Sequence, residues 1–178
     1  MSEEEFRNRI SIEIGEFLDK KYKVEVSKKL LYKVIVDEDL EYIPASPSTP
    51  KKGEYAFETD IAIIKGNIPL VVIETKFGGF STHDILTYST KAIKHKEIYP
   101  YLRYGLLVGD KPNITNKFFL HNVGFDFAIA MKTISTDIID QLISIIETQI
   151  TSAELLLSIM KDKKGKGVAT FHSVIYRT

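Results

Sequence analysis

Three charged side chains stand where two apolar runs begin or end. Asp60 precedes Ile61-Ala62-Ile63-Ile64, and Glu74 and Lys76 follow Leu70-Val71-Val72-Ile73. Side chains alternate along a strand, so Glu74 and Lys76 point to one face, and Glu58 and Asp60 share one face of the preceding strand, Tyr55 to Ile64. Lys65-Gly66-Asn67 between the runs reads as a tight turn. A hairpin then places Asp60 beside Glu74 at one end of a sheet, with the Lys76 ammonium converging on both. Two carboxylates a few Å apart repel, and one takes up a proton unless a cation lies between them. Mg²⁺ suits such a pair, because it takes few carboxylates and completes its shell with waters and phosphate oxygens. Mn²⁺ is the expected substitute. A metal there polarises a phosphoryl oxygen and acidifies a bound water. Lys76 would orient that water or help deprotonate it, and stabilise charge in the transition state. The expected chemistry is phosphodiester hydrolysis. The plain alternative is a strand-end ion pair between Glu74 and Lys76, worth ~0–1 kcal/mol.

The elements that must position these groups are legible as patterns. Residues 2–20 predict an amphipathic helix, with Phe6, Ile10, Ile14, Phe17 and Leu18 on its stripe. Glu3, Glu4 and Glu5 suit its first turn, and Lys20 and Lys21 its last. Glu13 falls inside the stripe, where a carboxylate is costly unless compensated; Glu16 lies off it. Leu30 to Val36 is strand-like. Pro44 to Gly53 holds three prolines and a glycine and reads as a loop. Pro69 to Thr75 predicts a strand, followed by the flexible Phe77-Gly78-Gly79-Phe80. Ser81 with Asp84 opens a helix that Pro100 ends. Tyr104 to Val108 and Phe125 to Met131 predict strands, and residues 136–160 a long helix. Val168 to Tyr176 predicts a last, edge-like strand. The order gives a mixed α/β domain, a central sheet covered by helices.

Composition bounds the alternatives. The chain has 178 residues, 44% of them hydrophobic, with 24 basic and 24 acidic side chains. It suits one domain, residues 1–178, with a substantial core. The absence of Cys excludes disulfides, thiolate zinc sites and thiol nucleophiles. The four histidines show no zinc spacing. The acidic N-terminus lacks a signal-peptide core. No stretch reaches the roughly 18 apolar residues of a membrane span, so a cytoplasmic protein away from membranes is expected. Residues 1–60 carry 10 basic and 14 acidic side chains, and residues 61–178 carry 14 and 10, so a polyanion is expected to meet the later part.

Asp60, the thirteen residues that follow, and Glu74-Thr75-Lys76 resemble the PD-(D/E)xK nuclease superfamily, the fold of restriction endonucleases. The run from Thr59 to Lys76 is similar to the nuclease domain at the N-terminus of type I restriction motor subunits. The resemblance covers roughly residues 55–110, with Glu13 added. It implies a restriction-endonuclease-like core with a central mixed β-sheet flanked by helices. It implies Asp60 and Glu74 as metal ligands, the Thr75 carbonyl as a further one, Lys76 as the catalytic lysine and Glu13 as an accessory acid from the first helix. Thr59 stands where the superfamily name puts Pro. One branch places Gln and Tyr four apart in the following helix, and here Asp84 and Tyr88 hold those places. No GxxxxGK[ST] phosphate loop occurs, so the chain is not a whole motor subunit.

The expected partner is DNA. Tyr88, Lys91 and His95 share a helix face, with Lys94 beside them, and phosphate contact is their functional reading. The lysines of 161–166 either clamp DNA or solvate a turn. Residues 136–160 carry more apolar side chains than one stripe needs, Leu155 and Leu157 among them. Core burial is their default reading, and a homodimer interface is the sharper expectation, since cutting both strands of a duplex usually takes two active sites. The expected activity is a Mg²⁺-dependent DNA endonuclease of restriction type. A junction-resolvase-like repair or recombination nuclease and a non-catalytic DNA-binding or specificity subunit are the alternatives, and a partner subunit for targeting fits any of them.

Overall fold

The computed structural model describes residues 1–48, 50–51, 53–162, 167 and 170. The predicted strand Val168 to Tyr176 and most of the lysines of 161–166 lie outside them. Two apolar layers sandwich a five-stranded sheet in the order β1-β6-β7-β8-β9. Its strands are β1 (Lys23–Val26), β6 (Ile61–Lys65), β7 (Ile68–Phe77), β8 (Arg103–Gly109) and β9 (Phe127–Met131). β6 runs antiparallel to both its neighbours, β1 and β7, whereas β7, β8 and β9 run parallel. The sheet is thus mixed. Two short ribbons stand outside it: β2 (Lys29–Leu31) with β5 (Ala56–Glu58), and β3 (Ile35–Val36) with β4 (Tyr42–Ile43).

The predicted hairpin is β6–β7, in register Ile61 to Ile73, and it turns on Gly66 at φ 60°. That left-handed conformation is free for glycine and strained for most side chains. The apolar runs fill both faces of this hairpin. Ile61, Ile63, Val71 and Ile73 pack under α1 (Glu3–Phe17) and α4 (Thr136–Lys161). Ala62, Ile64, Val72, Tyr104 and Leu106 pack under α2 (Thr82–Ile98) and α3 (Asn116–His121). Parallel strands need crossovers, and α2 and α3 supply them between β7 and β8 and between β8 and β9.

The stretch Tyr55 to Ile64 is not one strand. It breaks at Thr59-Asp60 into β5 and β6, which belong to different sheets. Glu58 and Asp60 therefore do not share a face of one strand. The Thr59 N–H and hydroxyl both donate to the Lys28 carbonyl, at 2.8 and 2.9 Å, and fix this break.

α1 is capped reciprocally, as the Glu5 N–H donates to Ser2 Oγ and the Ser2 N–H to Glu5 Oε2. It ends at Phe17, so Lys20 and Lys21 lie beyond it and not in its last turn. Phe6 anchors its first turns against the end of β7, with its ring centroid 5.5 Å from that of Phe77. Gly109 makes room for this contact. A Cβ there would stand 2.5 Å from Phe77 and 3.0 Å from Phe6. α2 opens on the predicted Ser81–Asp84 capping box.

α4 puts Ile139, Leu142, Ile146 and Ile150 into the core and leaves Leu155 and Met160 exposed. By length and composition it is apolar enough to cross a membrane, contrary to the expectation that no segment is. In this fold its apolar stripe lies on the sheet and α1.

Candidate active site

The sequence motif converges at the end of β7 that lies between α1 and α2. Glu74, one residue past the apolar run, is 1% exposed. Its Oε1 accepts from the Tyr104 hydroxyl at 2.7 Å and pairs with Lys91 Nζ at 2.8 Å. Burial pushes the Glu74 carboxyl above its usual value and the charge of Asp60 pushes it the same way, while Lys91 and the Tyr104 hydrogen bond oppose them. Burial also raises the Tyr104 hydroxyl well above the normal phenol value, so it stays a donor. Lys91 reaches Glu74 from α2 and also donates to the Glu58 carbonyl.

Asp60 comes from the break before β6. Its Oδ2 accepts from the Thr75 N–H at 2.7 Å and from the Thr75 hydroxyl at 3.0 Å. Thr75 faces the opposite side of β7 from Glu74 and is fully buried. Its N–H and hydroxyl orient Asp60, and the family resemblance gave Thr75 only a carbonyl role. Asp60 Oδ1 faces Arg7 Nη1 of α1 at 3.9 Å.

Lys76 shares the Glu74 side of the strand, but its ammonium goes elsewhere. It pairs with Glu3 Oε2 at 3.2 Å and Asp84 Oδ1 at 3.7 Å. Partial burial acts to lower its pKa, but Tyr88, Glu3 and Asp84 outweigh that and hold it above the ordinary lysine value. The ammonium beside Glu74 is that of Lys91. Tyr88 is half-buried among these charges, and burial raises its hydroxyl to about 12.

Two expectations for α2 change. His95 is fully buried, between Phe57 and Tyr104, with Nε2 3.2 Å from the Leu30 carbonyl. Burial lowers its pKa to about 4, so it is a neutral core histidine and no phosphate contact. Lys91 turns inward to Glu74. Of the helix face that spacing assigned to DNA, His95 packs on the sheet and Lys91 on Glu74, while Tyr88 and Lys91 still border a groove. Lys94, with 45% of its side chain exposed, pairs with Glu97 at 2.8 Å. A groove of about 600 Å³ opens beside the site, with Phe57, Leu86, Tyr88, Lys91 and Lys94 in its lining.

Glu13 makes no hydrogen bond or ion pair among the described residues, and Glu3 is the first-helix acid at this end of the sheet. The two are ten residues apart on one helix, about 15 Å of rise. The sequence reading gave Glu3 only a role at the helix dipole and passed over Arg7. Their signal was present, since Glu3 and Arg7 are i, i+4 and flank the core anchor Phe6.

A divalent cation at this end of the sheet would draw on Asp60 and Glu74, whose charges act on one another. Glu74 Oε2 and Asp60 Oδ1 carry no hydrogen bond among the described residues, and the pair's mutual repulsion is what a cation would relieve. No third His, Asp or Glu joins them in a metal-holding group among the described residues, so waters and substrate oxygens would complete the shell. No family model matches the chain, and neither a curated protein nor a solved structure gives a significant match.

Proposed function

We propose that the chain is a metal-dependent nuclease that hydrolyses phosphodiester bonds of DNA, on a restriction-endonuclease-like core. The observation that carries the reading is that Asp60, bonded to Thr75, lies near enough to Glu74 for its charge to raise that carboxyl, with Lys76 beyond Glu74 on the same strand. Asp60 and Glu74 would hold Mg²⁺ or Mn²⁺, which when bound supplies Lewis-acid activation of the phosphate and of water. Thr75 fixes the rotamer of Asp60. Lys76, held protonated by Glu3 and Asp84, serves as a fixed positive charge for the developing phosphorane and not as a general base. The groove beside Tyr88 and Lys91 gives the substrate strand a path onto the site. Cleavage of both strands of a duplex would require two copies, and sedimentation with and without DNA reads that directly.

The test is incubation of supercoiled plasmid, linear duplex and a four-way junction with Mg²⁺, Mn²⁺ or EDTA, beside Glu74→Gln. Metal-dependent products absent from the variant are expected. Discrete linear fragments favour a restriction enzyme, and cutting confined to the junction favours a resolvase. Cleavage that persists in Glu74→Gln sinks the assignment.

One observation favours a second reading, a non-catalytic DNA-binding subunit. Lys91 already compensates Glu74, so the carboxylate is satisfied without a metal. DNA binding with no cleavage of any of the three substrates, and no Mn²⁺ binding by calorimetry, would select it.

A further inference from the structure

Arg7 is the cation of this site whose hydrogen-bonding capacity is unused. Its side chain is 22% exposed, and its two ion pairs, to Asp60 Oδ1 and Glu4 Oε1, both lie at 3.9 Å, beyond hydrogen-bond reach. Its Nε is enclosed with no acceptor. A guanidinium offers five N–H donors in a planar fork, and none of them is in a hydrogen bond among the described residues. Lys91 and Lys76 differ, since each reaches a carboxylate within hydrogen-bond distance. Leaving a half-enclosed fork unmet is unfavourable, and the acceptor that matches it is a planar or tetrahedral oxyanion bound through two oxygens.

The position specifies which oxyanion. Arg7 stands on the α1 side of the β7 end, next to Asp60, while the groove lined by Tyr88 and Lys91 opens on the α2 side. A strand crossing the sheet end from that groove would pass the carboxylates and reach Arg7. Phe6, packed on Phe77 and Gly109, fixes the turn of α1 that carries it. We infer that Arg7 binds a backbone phosphate of the nucleic-acid substrate through a bidentate fork, clamping the strand on the α1 side of the site. This rests on the nuclease reading and adds to it a substrate-binding residue and a direction for the strand.

The experiment is fluorescence anisotropy of a short labelled DNA duplex and of the matching single strand, in Ca²⁺, across a salt series. Wild type, Arg7→Gln and Arg7→Lys are compared, with melting temperatures as folding controls. Arg7→Gln is expected to weaken binding about tenfold and to reduce the slope of log K against log salt by about one. Arg7→Lys should keep the slope and lose part of the affinity, since lysine keeps the charge but not the fork. A folded Arg7→Gln with the wild-type slope overturns the inference and leaves the nuclease reading standing. Wild type that binds neither DNA overturns the nuclease reading itself. Should Arg7→Gln not fold, Arg7→Lys decides, and unchanged affinity there overturns the clamp. Titration with inorganic phosphate is the second arm. Saturable millimolar binding that Arg7→Gln loses, without any loss of DNA affinity, would assign Arg7 to a free anion instead.

Discussion

On the α2 side of the β7 terminus, Glu74 is buried, with Lys91 and Tyr104 on one of its oxygens. Toward α1, Asp60, Arg7 and Glu3 form a partly exposed rim with longer, looser pairs, and Lys76 bridges to it from the Glu74 side of the strand. Both regions are made of carboxylates and cations, but burial gives them different work. In the buried pocket a charge must be matched or the fold loses stability. On the rim, water screens each pair, so its contribution to stability is small and its residues are free to serve a ligand. The comparison predicts that substitutions in the pocket change stability and chemistry together, whereas substitutions on the rim separate them.

The largest expected effect breaks the pocket. Lys91→Met leaves Glu74 buried without its cation and should cost about 3 kcal/mol or more. The double variant Lys91→Met/Glu74→Leu should recover most of that loss, because the uncompensated charge goes with its partner. Denaturant melts of the two variants decide it. A single variant as stable as wild type would mean that Lys91 does not neutralise Glu74.

Next comes the pH dependence of the wall behind the pocket. His95 has its pKa lowered from 6.5 to about 4 by burial, with Lys91 acting the same way. Between those values the unfolded chain binds the proton and the folded chain does not. Stability from His95 is therefore complete above pH 6.5 and is lost as pH falls toward 4, by about 3 kcal/mol in all. Glu74 acts in the opposite sense, since its raised pKa makes stability fall as pH rises through it. The difference between wild type and His95→Gln isolates the histidine. Equal slopes for the two proteins from pH 4 to 6.5 would show that His95 is not the buried neutral group described.

A smaller effect tests the link between the two regions. Thr75→Val removes the hydroxyl that holds Asp60 at 3.0 Å but keeps the backbone donor at 2.7 Å. The expected cost is about 1 kcal/mol in stability. Metal affinity should fall further than stability does, because Asp60 loses its fixed rotamer. Calorimetric titration with Mn²⁺ separates these effects, and unchanged affinity would remove Thr75 from the site.

What the sequence revealed follows from how far each signal reaches. The β6–β7 hairpin was legible because two apolar runs and a Gly turn are local patterns. α2 was legible from its cap and α4 from its stripe. The break between β5 and β6 was hidden, since β-forming residues look alike whichever sheet they join. α3, at six residues, is too short for helical periodicity to register. Strand alternation put Glu74 and Lys76 on one side of β7, and the hairpin register, not alternation, brought Asp60 near them. Lys91 and His95 were placed on the right helix but given the wrong environment, because the rotation of α2 on the sheet is set by tertiary packing around Ile85 and Ala92. Glu13 was named as the accessory acid, with Glu16 as its competitor and Glu3 given only a dipole role, because a stripe shows which face of a helix is buried and not which end meets the site.

The smallest expected effect on stability belongs to the rim and gives the sharpest contrast. The Lys76–Glu3 pair, at 3.2 Å with Glu3 44% exposed, should contribute no more than ~1 kcal/mol. Lys76→Met should therefore melt close to wild type. If Lys76 supplies a fixed charge to the phosphorane, the same variant should lose cleavage by about a hundredfold or more. Glu3→Gln sharpens this by freeing the ammonium while leaving it in place, so cleavage should change far less than in Lys76→Met. The pair of variants separates charge from contact. Full cleavage by Lys76→Met would leave Lys91 as the lysine of the site and move the functional centre from the rim into the pocket.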